Sequence, residues 1–188
     1  MQKTIDIKVK PEPTEEEKSL VTRLVPPHKK VSRDVTEADI ERIQTESVVL
    51  WKLCFTPVGL YAAAFAMAHP QIDDKDPLRM FVTAERKIIL NPVITQHSGY
   101  TVDSKEGCMS MADKPLIIVP RWRKCEVEYI TIIRDPTEGI TGHPETYKLK
   151  LSEIIKESLV GRESFCFQHE IGHLNGKYIY DELITNEK

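Results

Sequence analysis

The chain has 188 residues, 40% hydrophobic and 29% charged, enough for one globular domain with its own core and unlike a low-complexity polypeptide. A net charge of -3 gives no electrostatic case for nucleic acid, no apolar run is long enough to span a bilayer, and residues 1–20 lack the apolar stretch of a secretory signal. Four cysteines, Cys54, Cys108, Cys125 and Cys166, show no C-x-x-C spacing and suit a reducing compartment better than a disulfide framework.

Residues 1–30 carry Pro11, Pro13, Pro26 and Pro27 around the acidic run Glu15-Glu16-Glu17, which predicts an extended or weakly ordered arm ahead of a domain over 31–188. Thr36-Glu37-Ala38-Asp39 resembles a capping box, and Ile40, Ile43, Ser47, Leu50, Trp51 and Cys54 then recur at helical spacing, so a helix is expected over 36–54, ended by Pro57. The small apolar stretch 57–64 and a polar loop around 73–77 follow. Segments 79–82, 87–91, 116–119 and 125–133 then read as strands rich in Ile and Val. A turn at Asp135-Pro136-Thr137-Glu138-Gly139 makes a hairpin between 125–133 and 146–151 the natural expectation. Residues 152–160 are ambiguous between strand and helix, 161–174 should be helical with Gly176 as the left-handed stop, and 177–180 reads as a short strand.

Chemistry concentrates in Gln168-His169-Glu170-Ile171-Gly172-His173. Histidines four apart project from one helix face about one turn from each other, so their imidazoles can meet on one ion. Glu170 flanks that ion without binding it, the position of a carboxylate that takes a proton from a water activated there. Two histidines need a further ligand. The metzincin form would require histidine where Ile179 stands, and Glu182 and Glu187 lie too near the end for a gluzincin-like arrangement, so the ligand is expected upstream. Glu106-Gly107-Cys108-Met109-Ser110 offers Cys108, whose thiolate is a soft donor that an ion keeps deprotonated.

These motifs resemble the peptide deformylase family, which carries G-Φ-G-Φ-A-A-x-Q, E-G-C-Φ-S and Q-H-E-x-D-H-Φ-x-G in that order. Residues 106–110 match the second motif throughout and 168–176 match the third at all positions but one, with further likeness in Leu90-Asn91-Pro92-Val93-Ile94 and Val119-Pro120-Arg121, so that the resemblance spans about residues 35–182. It implies an α+β fold with antiparallel sheets around a central metal-binding helix. It also implies a divalent ion, iron(II) expected and zinc or nickel possible, on Cys108, His169 and His173. Glu170 would be the proton carrier and the Met109 N–H an oxyanion donor. Gly59, Tyr61, Phe165 and Cys166 would border the substrate, a formyl-methionyl peptide or nascent chain. No nucleic-acid or membrane partner is implied, and a monomer or weak dimer is expected. The setting would be bacterial cytoplasm, or a mitochondrion or other organelle in a eukaryote, although residues 1–20 do not look like a full presequence.

Two departures bear on activity. Aligning Gly59 with the second glycine of the first motif puts Pro57 at the first glycine, Tyr61 at an alanine and Ala64 at the glutamine whose amide faces the developing oxyanion. Loss of such a donor lowers rates by about a hundred- to a thousandfold. Gln71, seven residues beyond Ala64, reaches the site only if the loop is rebuilt, and Tyr61 either supplies a replacement hydroxyl or narrows the cleft. Gly172 replaces the aspartate of the third motif, costing the helix roughly 1 kcal/mol against alanine. The expectation is therefore a metal-dependent hydrolase removing N-formyl groups at reduced or altered rate. The alternative is a homologue that binds metal and peptide or a protein partner without turnover, and a zinc endopeptidase is a distant third.

Overall fold

The structure is a computed structural model, and it describes residues 14–135 and 148–181. Most of the predicted turn after Asp135 and the two late glutamates lie outside those residues. The element order is α1 (Glu15–Val21), α2 (Ile40–Cys54), β1 (Ala66–Ala68), β2 (Met80–Thr83), β3 (Ile88–His97), β4 (Thr101–Glu106), β5 (Ile117–Trp122), β6 (Lys124–Ile130), β7 (Ile132–Arg134), β8 (Leu149–Leu151), β9 (Ile155–Val160) and α3 (Arg162–Leu174). A five-stranded sheet runs β1-β2-β3-β6-β9, and β4-β5 and β7-β8 form separate two-stranded pairs. Every one of these pairings is antiparallel.

Strand alternation decides what each face of the sheet meets. Met67, Met80, Val82 and Leu90 point into one core with Ile43, Leu50 and Leu53 of α2. Ala66, Ala68, Phe81, Ile89, Val127 and Leu159 point the other way, against Phe167 and Leu174 of α3. Met80, Phe81 and Val82 are all fully buried because both faces are covered, which makes β2 a continuous apolar run instead of an alternating one. The Phe81 and Phe167 rings meet edge to face with centroids 5.0 Å apart, fixing α3 against the sheet.

Several expectations need correction. Residues 15–21 are helical, not extended: Thr14 and Glu17 form a capping box, Lys52 pairs with Glu16 at 2.7 Å, and Leu20 and Leu24 pack on the α2 core. Pro26 and Pro27 lie beyond the C-cap of this helix at Thr22. The segment 124–130 pairs with β3 and β9, so the expected hairpin shrinks to 132–134 against 149–151. Of the ambiguous stretch 152–160, Ile155–Val160 is strand β9. Residues 177–180 form a turn instead of a strand, with Asp181 N–H bonding Tyr178 O at 3.0 Å, and Tyr178 and Tyr180 pack inward beside Cys108.

Candidate metal centre and catalytic cleft

Gly161, at φ 61°, lets β9 turn directly into α3, and Gly176, at φ 68°, closes that helix as expected. Gln168 docks α3 on β5, its amide accepting from Trp122 N–H at 2.9 Å and donating to Trp122 O at 2.8 Å. His169 and His173 consequently face the loop after β4, where Cys108 sits. Cys108 Sγ lies 3.3 Å from His173 Nε2, and the two Nε2 atoms are 3.2 Å apart. These are close to the separations of about 3.3–3.5 Å set by a tetrahedral ion with nitrogen and thiolate ligands. The three donors all lie within 4.8 Å of one another. The residue chemistry and the spacing thus both fit a divalent ion.

Glu106 orients this set. Arg121 Nε and Nη2 grip its two oxygens at 2.9 and 2.6 Å, and His169 Nδ1 lies 2.9 Å from Oε2. Donation from Nδ1 leaves Nε2 of His169 free for an ion. Burial opposes the charge on Glu106, but Arg121 and His169 hold its pKa at about 2. Burial likewise raises the Cys108 thiol, yet the His173 charge and hydrogen bonds from both histidines hold it well below its usual value. His173 Nδ1 is buried with no hydrogen-bond partner among the described residues.

A cleft of about 330 Å³ opens beside these ligands. Glu170 enters its wall, 4% exposed, with Oε2 lacking any partner among the described residues. Burial raises its pKa against the lowering effect of the two histidines, which suits a group that must take up and release a proton. Tyr61, Met109, Phe165 and Cys166 border the same cleft. Met109 begins a 3-10 turn, so its N–H is one of the donors that a helical start leaves open. Gly59 is not part of the wall: at φ 52° it presses against Ala112, where a Cβ would come within 2.3 Å of Ala112 O.

Gln71, seven residues beyond Ala64, does reach the cleft. The 3-10 turn His69–Gln71 after β1 puts Gln71 in the cleft wall, 2% exposed, where its Nε2 donates to Ser110 Oγ at 3.0 Å and its Oε1 accepts from Ala68 N–H at 2.8 Å. The signal was present in the sequence. Ala64-Phe65-Ala66-Met67-Ala68-His69-Pro70-Gln71 fits G-Φ-G-Φ-A-A-x-Q with alanine at both glycines and histidine at the second alanine. Tyr61 supplies no replacement hydroxyl, because its OH donates to Lys114 O at 2.6 Å. Its ring instead covers Gly107, where an added Cβ would lie 2.4 Å away, so it narrows the cleft. Glu106 is the other orienting residue, and the opposite charges of Glu106 and Arg121 are the local signal for it in the sequence.

Among the described residues no helix is long and apolar enough to cross a membrane. The family model for polypeptide deformylase matches residues 17–139. The chain is 30% identical over 129 residues to the peptide deformylase of Desulfotalea psychrophila, covering 65% of this chain and 64% of the relative. It is 29% identical over 124 residues to that of Thermus thermophilus, covering 66% and 54%. The chain therefore spans less than two thirds of the length of these relatives. The crystal structure of peptide deformylase from Thermotoga maritima superposes with a TM-score of 0.60 at 24% identity, over 81% of this chain and 88% of that one, and shares the fold. With the motif order, the sheet arrangement and the matched span in agreement, the chain belongs to the polypeptide deformylase family.

Proposed function

We propose that the protein is a metal-dependent hydrolase that removes the formyl group from the amino terminus of formyl-methionyl peptides. The observation that carries this reading is the convergence of Cys108, His169 and His173 beside a buried, unpartnered Glu170 in a cleft that also holds Gln71. A divalent ion on the three ligands, expected to be iron(II), with zinc or nickel able to substitute, would polarise the formyl oxygen and make water acidic enough to attack at neutral pH. Glu170 would take one proton from the attacking water as the water's oxygen adds to the formyl carbon. The Met109 N–H and the Gln71 amide are the protein donors for the oxygen that gains negative charge. Glu170 then returns the proton to the amine as the carbon–nitrogen bond breaks, giving formate and a free amino terminus.

Gln71 weakens one of the two motives for a homologue without turnover, alanine at the glutamine position; the other, the bulk of Tyr61 in the cleft, stands. The domain is best drawn from about Thr14, because α1 packs on its core. A bacterial cytosol or an organelle is the natural setting for such a reaction. The test is formate release by metal-loaded protein against Glu170→Ala. The wild type should exceed the variant by at least a hundredfold, and equal background rates would remove the enzymatic reading.

A further inference from the structure

His69 is fully buried and lies outside the ligand set. It opens the 3-10 turn His69–Gln71, which carries the Gln71 amide. A single 3-10 turn has few bonds of its own. Here His69 O accepts from Ile72 N–H at 2.9 Å and from Asp73 N–H at 3.1 Å, so the placement of the turn depends on what grips it from outside. The His69 ring supplies two grips. Its Nδ1 accepts from Leu78 N–H at 3.0 Å, and a backbone N–H can only donate, so the ring proton sits on Nε2. That Nε2–H donates to Glu46 on α2. Arg42, one helical turn before Glu46 and 3.5 Å from it, also pairs with Asp73 just beyond the turn, so a closed circuit of bonds ties α2 to the segment that presents Gln71.

Alanine, the residue of the family motif at this position, can make neither bond. The Gln71 amide has a placement to keep. Its Oε1 is taken by Ala68 N–H and one Nε2 hydrogen by Ser110 Oγ, which leaves a single N–H for the oxygen that gains charge. Such a donor acts only when it is already aimed, and a misplacement of about 1 Å can lower a rate a hundredfold. We propose that His69 is a positioning residue for that donor: its bonds to Leu78 N–H and Glu46 hold the turn so that the remaining Gln71 N–H stays available to the cleft. This rests on the deformylase reading above.

The experiment compares metal-loaded wild type with three variants. His69→Ala cuts both bonds, His69→Asn keeps a side-chain oxygen that can accept from Leu78 N–H, and Glu46→Ala cuts one bond from the α2 side while leaving a good helix former there. Each is made alone and together with Gln71→Ala, and kcat and KM for formate release are measured on a formyl-Met-Ala-Ser peptide. In His69→Ala kcat should fall about tenfold or more with KM within about twofold. His69→Asn and Glu46→Ala should fall between it and the wild type. None of the three should lower kcat further once Gln71 is alanine, because they act through it. In parallel, the Gln71 side-chain amide is followed by NMR in isotope-labelled protein, as the NH2 pair that Gln71→Ala removes. In His69→Ala and Glu46→Ala that pair should shift and exchange with solvent about tenfold faster. Should His69→Ala not fold, His69→Asn and Glu46→Ala carry the same comparison. If the wild type yields no formate while the amide pair responds as stated, the deformylase reading fails and the placement of Gln71 by His69 survives. A kcat unchanged in the variants of an active wild type, a loss that repeats in full on Gln71→Ala, or an amide pair that stays as in the wild type overturns it.

Discussion

Gln71 shows how much can turn on one side chain. Replacing it by alanine removes a proposed oxyanion donor, so kcat/KM for formate release should fall by roughly a hundred- to a thousandfold. It also strips partners from Ala68 N–H and Ser110 Oγ, so Tm should drop by a few degrees. A loss of Tm with no loss of rate would leave Gln71 as a purely structural residue. The position was readable yet misplaced, because Gly59 drew the alignment to itself. That glycine is required by its contact with Ala112, which no local pattern encodes, whereas the true motif has alanine at both glycine positions. The metal ligands were legible for the opposite reason: two of them share one helix turn, and the third has a five-residue signature. Glu106 was not, since its partners sit 15 and 63 residues away. Glu106→Gln keeps the shape but removes the charge that fixes His169 Nδ1, and metal affinity by chelator competition should weaken about ten- to a hundredfold.

At the scale of elements, α3 carries an avoidable cost. Gly172 has no positive φ, and a Cβ there would meet only Lys177 O at 3.8 Å, an ordinary contact. Gly172→Ala should therefore stabilise the helix by about 1 kcal/mol and raise Tm by about 2–4 °C in calorimetry. A lower Tm would show that the cavity beside it, bordered by Arg79, Arg121 and Lys177, needs the open space. Helices α2 and α3 were legible because 3.6-residue periodicity and capping are local. The strands were found where β-branched residues cluster. β1 and β4 were missed: one is a three-residue alanine-methionine piece, and the other is polar on its exposed positions, so only their partners define them.

Across the whole molecule, paired acids tie distant segments together. Glu106 joins β4 to β5 and α3, Asp39 holds Arg33, and Arg42 bonds Asp73 and Asp76. The segment before α2 is part of the same clamp, since Val25 N–H bonds Gln71 O at 2.9 Å and Ser32 N–H bonds Leu174 O at 2.9 Å, so it braces the turn that carries Gln71. Arg33 holds the Asp39 carboxyl below its usual range, and Asp73 and Glu46 are also lowered, by backbone N–H donors and by His69 respectively, although burial opposes both. A carboxyl whose folded pKa is depressed stabilises the protein above its unfolded pKa and loses that contribution as pH falls towards the folded value. For Glu106 the window runs from 4.5 down to about 2 and is worth about 3 kcal/mol. Glu170 acts in the opposite sense: its raised pKa costs stability at neutral pH and that cost is relieved on acidification. One such group stands against several lowered ones, so denaturant midpoints should fall steeply between pH 4.5 and about 2. In Glu106→Gln the midpoint should be lower at neutral pH and the acid slope shallower. Parallel curves for the two proteins would mean that Glu106 is not held below its ordinary range, and that the ligand set is oriented by something other than its charge.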